Sequence, residues 1–223
     1  ETISSEYYTS KEVLNLLRDD FNNQWLFCAH QKQLVKSNII SLKHIENTIN
    51  EPLIMTENDG EISILSNVCT HRGMLICEDN CNSTLLKCGY HGRVFSLDGI
   101  FKSMPEFDGV KGFPSEKDNL KKFNLGKWNG LIFTSINNID FDNFVSEIDN
   151  RLGWMPIDNF KEDPTRSMEY EIKANWALYV DNYLEGFHIP YVHKELHEVL
   201  DYEEYRTELF ENGVLQIGIS DNK

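Results

Sequence analysis

Basic residues are scarce in this chain of 223 residues: Lys and Arg number 21 against 36 Asp and Glu, a formal net charge of -15. Apart from Lys121-Lys122 no cluster of positive charge offsets it. A nucleic-acid partner is thereby excluded, because its phosphates would be repelled, and an acidic surface of this kind serves solubility. Long apolar runs are missing too. No stretch approaches the roughly 20 apolar residues that a membrane helix needs, so no membrane partner is expected. The residues after Glu1 lack a basic flank running into an apolar segment, so no secretory signal is expected and the cytoplasm is the expected location. Cysteines number five, an odd count without the spacing of a disulfide scaffold, which fits a reducing compartment. A hydrophobic fraction of 40% with 12% aromatics is that of a folded globular protein, long enough for two unequal domains.

Apolar positions Val13, Leu14, Leu17 and Phe21 fall at helical spacing behind Thr9 and Ser10, so a short amphipathic helix is expected over 10–21. From Trp25 the pattern changes to short β-branched and aromatic runs separated by turn residues. Asp59-Gly60, Asp98-Gly99 and Asn129-Gly130 each sit between two such runs, the signature of antiparallel hairpins. A second helical pattern spans Phe141 to Leu152, and Gly153, Pro156 and Pro164 punctuate the connector after it. Met168 to Ile172 alternates as a strand, Trp176 to His188 reads as a helix, and Tyr205 to Ile219 as a hairpin about Asn212-Gly213. The expected class is α+β. Three parts are expected: a helical segment at 1–24 packing on the C-terminal domain, a small antiparallel β domain at 25–140, and an α+β domain from 141 to 223.

Two short stretches carry chemistry. Cys69-Thr-His71 and Cys88-Gly-Tyr-His91 are Cys-His pairs separated by the 16 residues from Arg72 to Lys87. Two thiolates with two imidazoles suit a tetrahedral zinc ion or a 2Fe-2S cluster in which two His replace two Cys on one iron. Ligand chemistry alone leaves both open. Zinc fingers usually pair Cys with Cys and His with His, whereas each loop here supplies one of each, which favours the cluster. Cys77 and Cys81 lie between the loops as C-x3-C, where a further ligand or a disulfide is conceivable and inert thiols are the simpler reading; Cys28 has a core context.

The second stretch runs from Asn175-Trp176 to His193. On a continuous helix Asp181, Glu185 and His188 would share one face, and Pro190 would bend the chain so that His193 comes round beside His188. Two His plus one carboxylate is the set that holds ferrous iron with positions left open for O2 and substrate. His193 and His197 offer a competing i, i+4 pair that Glu198 could join; a surface role suits His197 better.

These stretches resemble the Rieske motif and, in the same order, the mononuclear-iron motif N-W-x4-[DE]-N-x2-[DE]-x-[FY]-H-x4-H of Rieske non-haem iron oxygenase large subunits. Met74 and Tyr90 stand where respiratory Rieske proteins carry disulfide cysteines, so the likeness is to the disulfide-free type. The resemblance implies a Rieske domain followed by the opening part of a helix-grip catalytic domain. It implies Cys69, His71, Cys88 and His91 as cluster ligands and His188 and His193 as ligands of a mononuclear Fe(II). Glu185 would link that iron to a neighbouring subunit's cluster, with Asp181 and Asn182 orienting the ligands. The third iron ligand of the family is a downstream carboxylate; Glu203, Glu204 and Asp221 match poorly, so it is expected beyond Lys223. The implied activity is hydroxylation or demethylation of a small organic substrate by O2, with electrons from a reductase or ferredoxin, in a homotrimer. The wording from Asp181 to Tyr205 resembles the choline monooxygenase and betaine-demethylating branch, which implies a quaternary ammonium substrate that Tyr183, Phe187 and Tyr191 could cage. An aromatic-ring dioxygenase and a pure Rieske electron carrier are the alternatives.

Overall fold

The computed structural model describes residues 3–137, 139–211 and 213–220. Two short helices open the chain, α1 (Glu6–Thr9) and α2 (Lys11–Asp20). Ser10 caps the second: its hydroxyl accepts from the Val13 N–H at 3.3 Å, satisfying one of the donors that a helix start leaves free. Among the described residues no helix is long and apolar enough to cross a membrane.

The chain divides into two compact units, one of residues 17–162 and one of 1–16 with 163–223. The first is built on β1 (Leu26–His30), β2 (Ile39–Ser41), helix α3 (Lys43–Ile49), β3 (Leu53–Asn58) and β4 (Glu61–Ser66). It continues through β5 (Leu86–Lys87), β6 (Val94–Phe95), β7 (Phe101–Ser103), β8 (Asn124–Trp128), β9 (Leu131–Ser135) and helix α4 (Phe141–Leu152). These strands form three antiparallel sheets of order β1-β9-β8, β2-β3-β4 and β5-β6-β7. The three hairpins expected from sequence are present as β3-β4, β6-β7 and β8-β9. In the first and third, Asp59-Gly60 and Asn129-Gly130 take positive φ at both turn residues, the twist that matches a two-residue hairpin to its strands.

The middle sheet is covered on both faces. Leu53, Met55 and Ile64 join one core with Cys28, Ala29 and Ile132, while Ile54 and Leu65 join another with Cys69, Cys88, Leu86 and Phe95. This is why β3 reads as an unbroken apolar run rather than an alternation. The second core holds both candidate cluster thiols, so the sheet that stabilises the unit also backs the site.

Helix α4 belongs to this unit. Asp140 caps it, accepting from the N–H of Asp142 and Asn143 at 3.0 and 3.2 Å. Phe141 lies edge-on to Trp25 at 4.7 Å and beside Phe133 at 5.8 Å. Gly126 makes room for it, since a Cβ there would fall 2.3 Å from the Phe141 ring. The compact unit therefore runs on to Glu162, past the break at 140 read from the sequence.

The second unit contains α5 (Trp176–Leu184), α6 (Ile189–Val192), α7 (Lys194–Val199), β10 (Leu200–Phe210) and β11 (Gly213–Ser220), the strands pairing as an antiparallel hairpin. Asn212, expected at its turn, and Asp221 lie outside the described residues. Two expectations are corrected. Residues 168–172 form no strand: Met168, Tyr170 and Ile172 are exposed, and alternation alone makes a strand only where a neighbouring strand takes up its hydrogen bonds. The helix expected to reach His188 stops at Leu184, because Glu185 is extended and Gly186 follows.

Candidate metal centres

The two Cys-His loops are copies of one backbone device. In the first, the Gly73 N–H donates to the Cys69 carbonyl at 3.0 Å and the Cys69 N–H to the Met74 carbonyl at 2.9 Å. In the second, the Gly92 N–H donates to the Cys88 carbonyl at 3.1 Å and the Cys88 N–H to the Arg93 carbonyl at 2.8 Å. Both glycines adopt left-handed φ, +72° and +69°, which a side chain would strain. The turn leaves each cysteine inside, at 3% and 2% exposure, while His71 is half-buried and His91 exposed.

The four side chains therefore sort into a buried thiol pair and an outer imidazole pair. Burial pushes the Cys69 thiol up, and the neighbouring Cys88 pushes it further, so the Cys69 proton leaves when a cation takes its place. The imidazole rings of His71 and His91 lie 4.7 Å apart at 69°. His71 is held below the usual imidazole range by burial and then by His91, Arg72 and Arg93, which favours the neutral ring that ligates metal. Two thiols on one iron and two imidazoles on the other is the donor set of a Rieske cluster, and the residues fit it.

A charged side chain that the sequence reading passed over lies behind this site. Arg93 is 3% exposed, ion-paired with Asp118, and its guanidinium lies 4.9, 5.5 and 5.9 Å from the rings of Phe101, Phe113 and Phe95. Among the described residues its Nε has no hydrogen-bond partner. Phe107 continues the aromatic layer to His71 at 5.7 Å. The signal was in the sequence: Arg93 stands just ahead of β6 and two residues before core residue Phe95, so a β period carried back from the strand sends its charge inward.

The second site is assembled around the break in its helix. Asn175 caps α5, accepting from the Ala177 N–H at 3.0 Å. Asp181 leaves the face expected of it and accepts from the Tyr8 hydroxyl at 2.7 Å, raising the Tyr8 pKa. Asn182 is exposed in the last turn of α5. Glu185 accepts from the Phe187 N–H at 2.7 Å and bonds the His188 Nδ1 with its other oxygen. That bond to His188 is the main cause holding its carboxyl below the usual range.

His188 and His193 flank the single turn α6, with Pro190 in the first turn where its missing N–H costs nothing. Their rings lie 5.1 Å apart at 69°, the pairing expected from a bend at Pro190. His197 instead meets Tyr202 at 5.9 Å. Among the described residues no third His, Cys, Asp or Glu completes a three-ligand group, Glu203 and Glu204 included. Gly186 anchors the turn: a Cβ there would lie 2.4 Å from the Tyr205 ring on β10, a contact that only the fold reveals.

Residues 24–114 match the model of the Rieske [2Fe-2S] domain, and residues 158–216 that of the ring hydroxylating alpha subunit catalytic domain. Choline monooxygenase of Beta vulgaris is 26% identical over 91% of this chain and 47% of its own length. The carnitine monooxygenase oxygenase subunit of Escherichia coli K12 is 24% identical over 98% of the chain and 59% of its own. The crystal structure of the quaternary ammonium Rieske monooxygenase CntA with L-carnitine superposes with a TM-score of 0.82 at 25% identity, covering 97% of this chain and 62% of that one. The chain thus spans about half the length of the curated relatives it matches. In the order of those relatives, the chain joins a Rieske [2Fe-2S] domain to part of a ring hydroxylating alpha-subunit catalytic domain, the arrangement of Rieske non-haem iron oxygenase alpha subunits that it resembles.

Proposed function

We propose that the chain is the cluster-bearing and iron-anchoring part of a Rieske monooxygenase that oxidises a quaternary ammonium compound. The observation that carries this reading is the pairing of His188 with His193 around α6, with Glu185 on His188, in one chain with the cluster loops. An electron carrier alone has no use for the second pair. The substrate class rests on relatives named for choline and carnitine. Tyr183, Phe187 and Tyr191 support it, since all three are exposed and so remain available to face a cation.

When bound, the cluster supplies single electrons and the ferrous ion supplies O2 activation. Cys69 and Cys88, buried, would hold one iron of the cluster, and His71 and His91, nearer the surface, would hold the other. His188 and His193 would each supply a ring nitrogen to the iron. Glu185, hydrogen-bonded to the His188 Nδ1, would orient the ring and leave Nε2 for the metal. In the assembled protein, a homotrimer in this reading, the same carboxylate bridges to a neighbouring subunit's cluster histidine. Asp181 and Asn182 set the end of α5 from which Glu185 departs, and the third ligand is a carboxylate beyond Lys223. A reductase or ferredoxin of the cytoplasm supplies the electrons.

Iron and sulfide analysis of the full-length protein, EPR of the reduced form, and nitric oxide binding test the two centres. Two cluster irons and one nitric-oxide-reactive ferrous ion per chain are expected; cluster iron alone would leave only the electron carrier. Turnover assays with choline, carnitine and naphthalene separate the substrate classes, and hydroxylation of naphthalene alone would overturn the quaternary ammonium assignment.

A further inference from the structure

Cys77 and Cys81 take no part in either centre, yet their Sγ atoms lie 3.4 Å apart. A disulfide bond is about 2.05 Å, so little more than an ångström of approach closes it. The two thiols differ in access: Cys77 is buried and Cys81 exposed. Both are pinned by the fold. The Cys77 N–H and carbonyl are held by the Asn67 side chain at 2.9 and 2.7 Å, two residues before Cys69. Cys81 exchanges two main-chain hydrogen bonds with Ile39 of β2, at 3.0 and 3.1 Å. The Asn80 and Asn82 side chains add bonds to the Ser41 and Asn38 N–H groups. The entropy of bringing the sulfurs together is thus already met by the native turn.

We infer that Cys77 and Cys81 form a dithiol site that undergoes reversible exchange with low-molecular-weight disulfides, closing a Cys77–Cys81 disulfide beside the first cluster loop. The exposed Cys81 thiolate attacks one sulfur of the incoming disulfide, forming a mixed disulfide and expelling one thiolate. The Cys77 sulfur then attacks the Cys81 sulfur, the second small thiolate leaves, and the Cys77 proton passes to it. Two protein thiols are oxidised, and one small disulfide is reduced to two thiols. The order is set by position. Cys81 is exposed and meets the incoming disulfide, whereas Cys77 is buried and, pushed up to about 12 by burial and then by Cys81, stays protonated until a mixed disulfide forms beside it. Closure staples the return of the Cys69 loop to the edge of β2 through Ile39 and Asn67.

Trypsin isolates the pair, because cleavage after Arg72 and Lys87 yields a peptide from Gly73 to Lys87 that holds these two cysteines and no other. The cluster-loaded protein is incubated with oxidised glutathione, quenched with an alkylating agent and digested. The expected peptide has lost two hydrogens, takes up no alkylating agent, and regains both alkylation sites after reduced glutathione. In Cys77→Ser a glutathione adduct persists on Cys81, and in Cys81→Ser the native protein acquires neither adduct nor disulfide. A wild-type peptide that stays doubly alkylated, carries two glutathiones, or is cross-linked to Cys69 or Cys88 overturns the inference.

Discussion

The cluster loops and the histidine segment differ in what holds their ligands. Around Cys69 and Cys88 the main chain does it: two turns closed by matching hydrogen bonds, two left-handed glycines, and thiols set in the core that covers β3 and β4. Around His188 and His193 the main chain closes the single turn α6, and side chains do the rest: Glu185 on the imidazole, Asp181 on Tyr8, and Tyr205 against Gly186. A backbone-built site keeps its shape without its metal, whereas a site built of side chains is set by a few contacts that can be exchanged. Under the proposed function that contrast matches the tasks: a cluster that only changes charge gains from rigidity, and an iron that accepts O2 and substrate needs open positions.

Replacing a thiol gives the largest expected effect and tests whether the regions are separable. Cys88→Ser should abolish the cluster and its visible absorption while His188 and His193 still bind one ferrous ion, read by iron and sulfide analysis; joint loss of both metals would end the contrast. Next is Arg93→Gln, which leaves Asp118 without its buried cation and should cost about 3–5 kcal/mol in unfolding free energy. Its cluster EPR should persist, because the ligand turns do not use the guanidinium.

On the other side, Glu185→Gln should weaken ferrous binding by roughly 10–100-fold through loss of the orienting carboxylate, with the cluster spectrum unchanged. The duplicated turn makes a finer prediction. Gly73→Ala and Gly92→Ala each force a side chain into left-handed backbone, and each should lower unfolding free energy by about 1–3 kcal/mol, by closely similar amounts; thermal melts of both variants check this.

How far the sequence disclosed this contrast depends on the kind of force involved. Asp59-Gly60 and Asn129-Gly130 announced their hairpins because turn chemistry is local, and the Cys-His spacings announced the cluster for the same reason. The pairing of His188 with His193 was expected, but from a bend at Pro190, whereas Pro190 opens the turn α6 and the helix breaks earlier, at Glu185. What stayed hidden depends on residues distant in sequence: Tyr8 drawing Asp181 away from Glu185, Tyr205 demanding glycine at 186, and Phe141 attaching α4 to the β unit. The helix expected through His188 failed because Glu185 satisfies the Phe187 N–H with its own side chain, a choice that periodicity cannot register.

The smallest expected effect is one of acidity. Burial, the largest influence on Asp118, would raise its pKa, but the Ser115 N–H, Arg93 and the Ser115 hydroxyl together outweigh it and hold the carboxyl below its usual 3.8. The folded value lies below the unfolded one, so the stabilisation is complete above about 3.9 and fades as pH falls through the folded value. Denaturation curves from pH 6 down to 3 should show this loss in the wild type, and Asp118→Asn should flatten it.

The compact unit of residues 17–162 interrupts the other, which takes residues 1–16 from before it and 163–223 from after it. On the ribosome this imposes an order of events. The Rieske unit can complete its three sheets while residues 163 onward are still unmade, but Tyr8 must wait for Asp181 and Asn175 to emerge. At about 5–20 residues per second that wait is on the order of ten to thirty seconds. The unit that holds the Cys-His loops is therefore the first folded product of synthesis, available for cluster loading before the histidine segment exists.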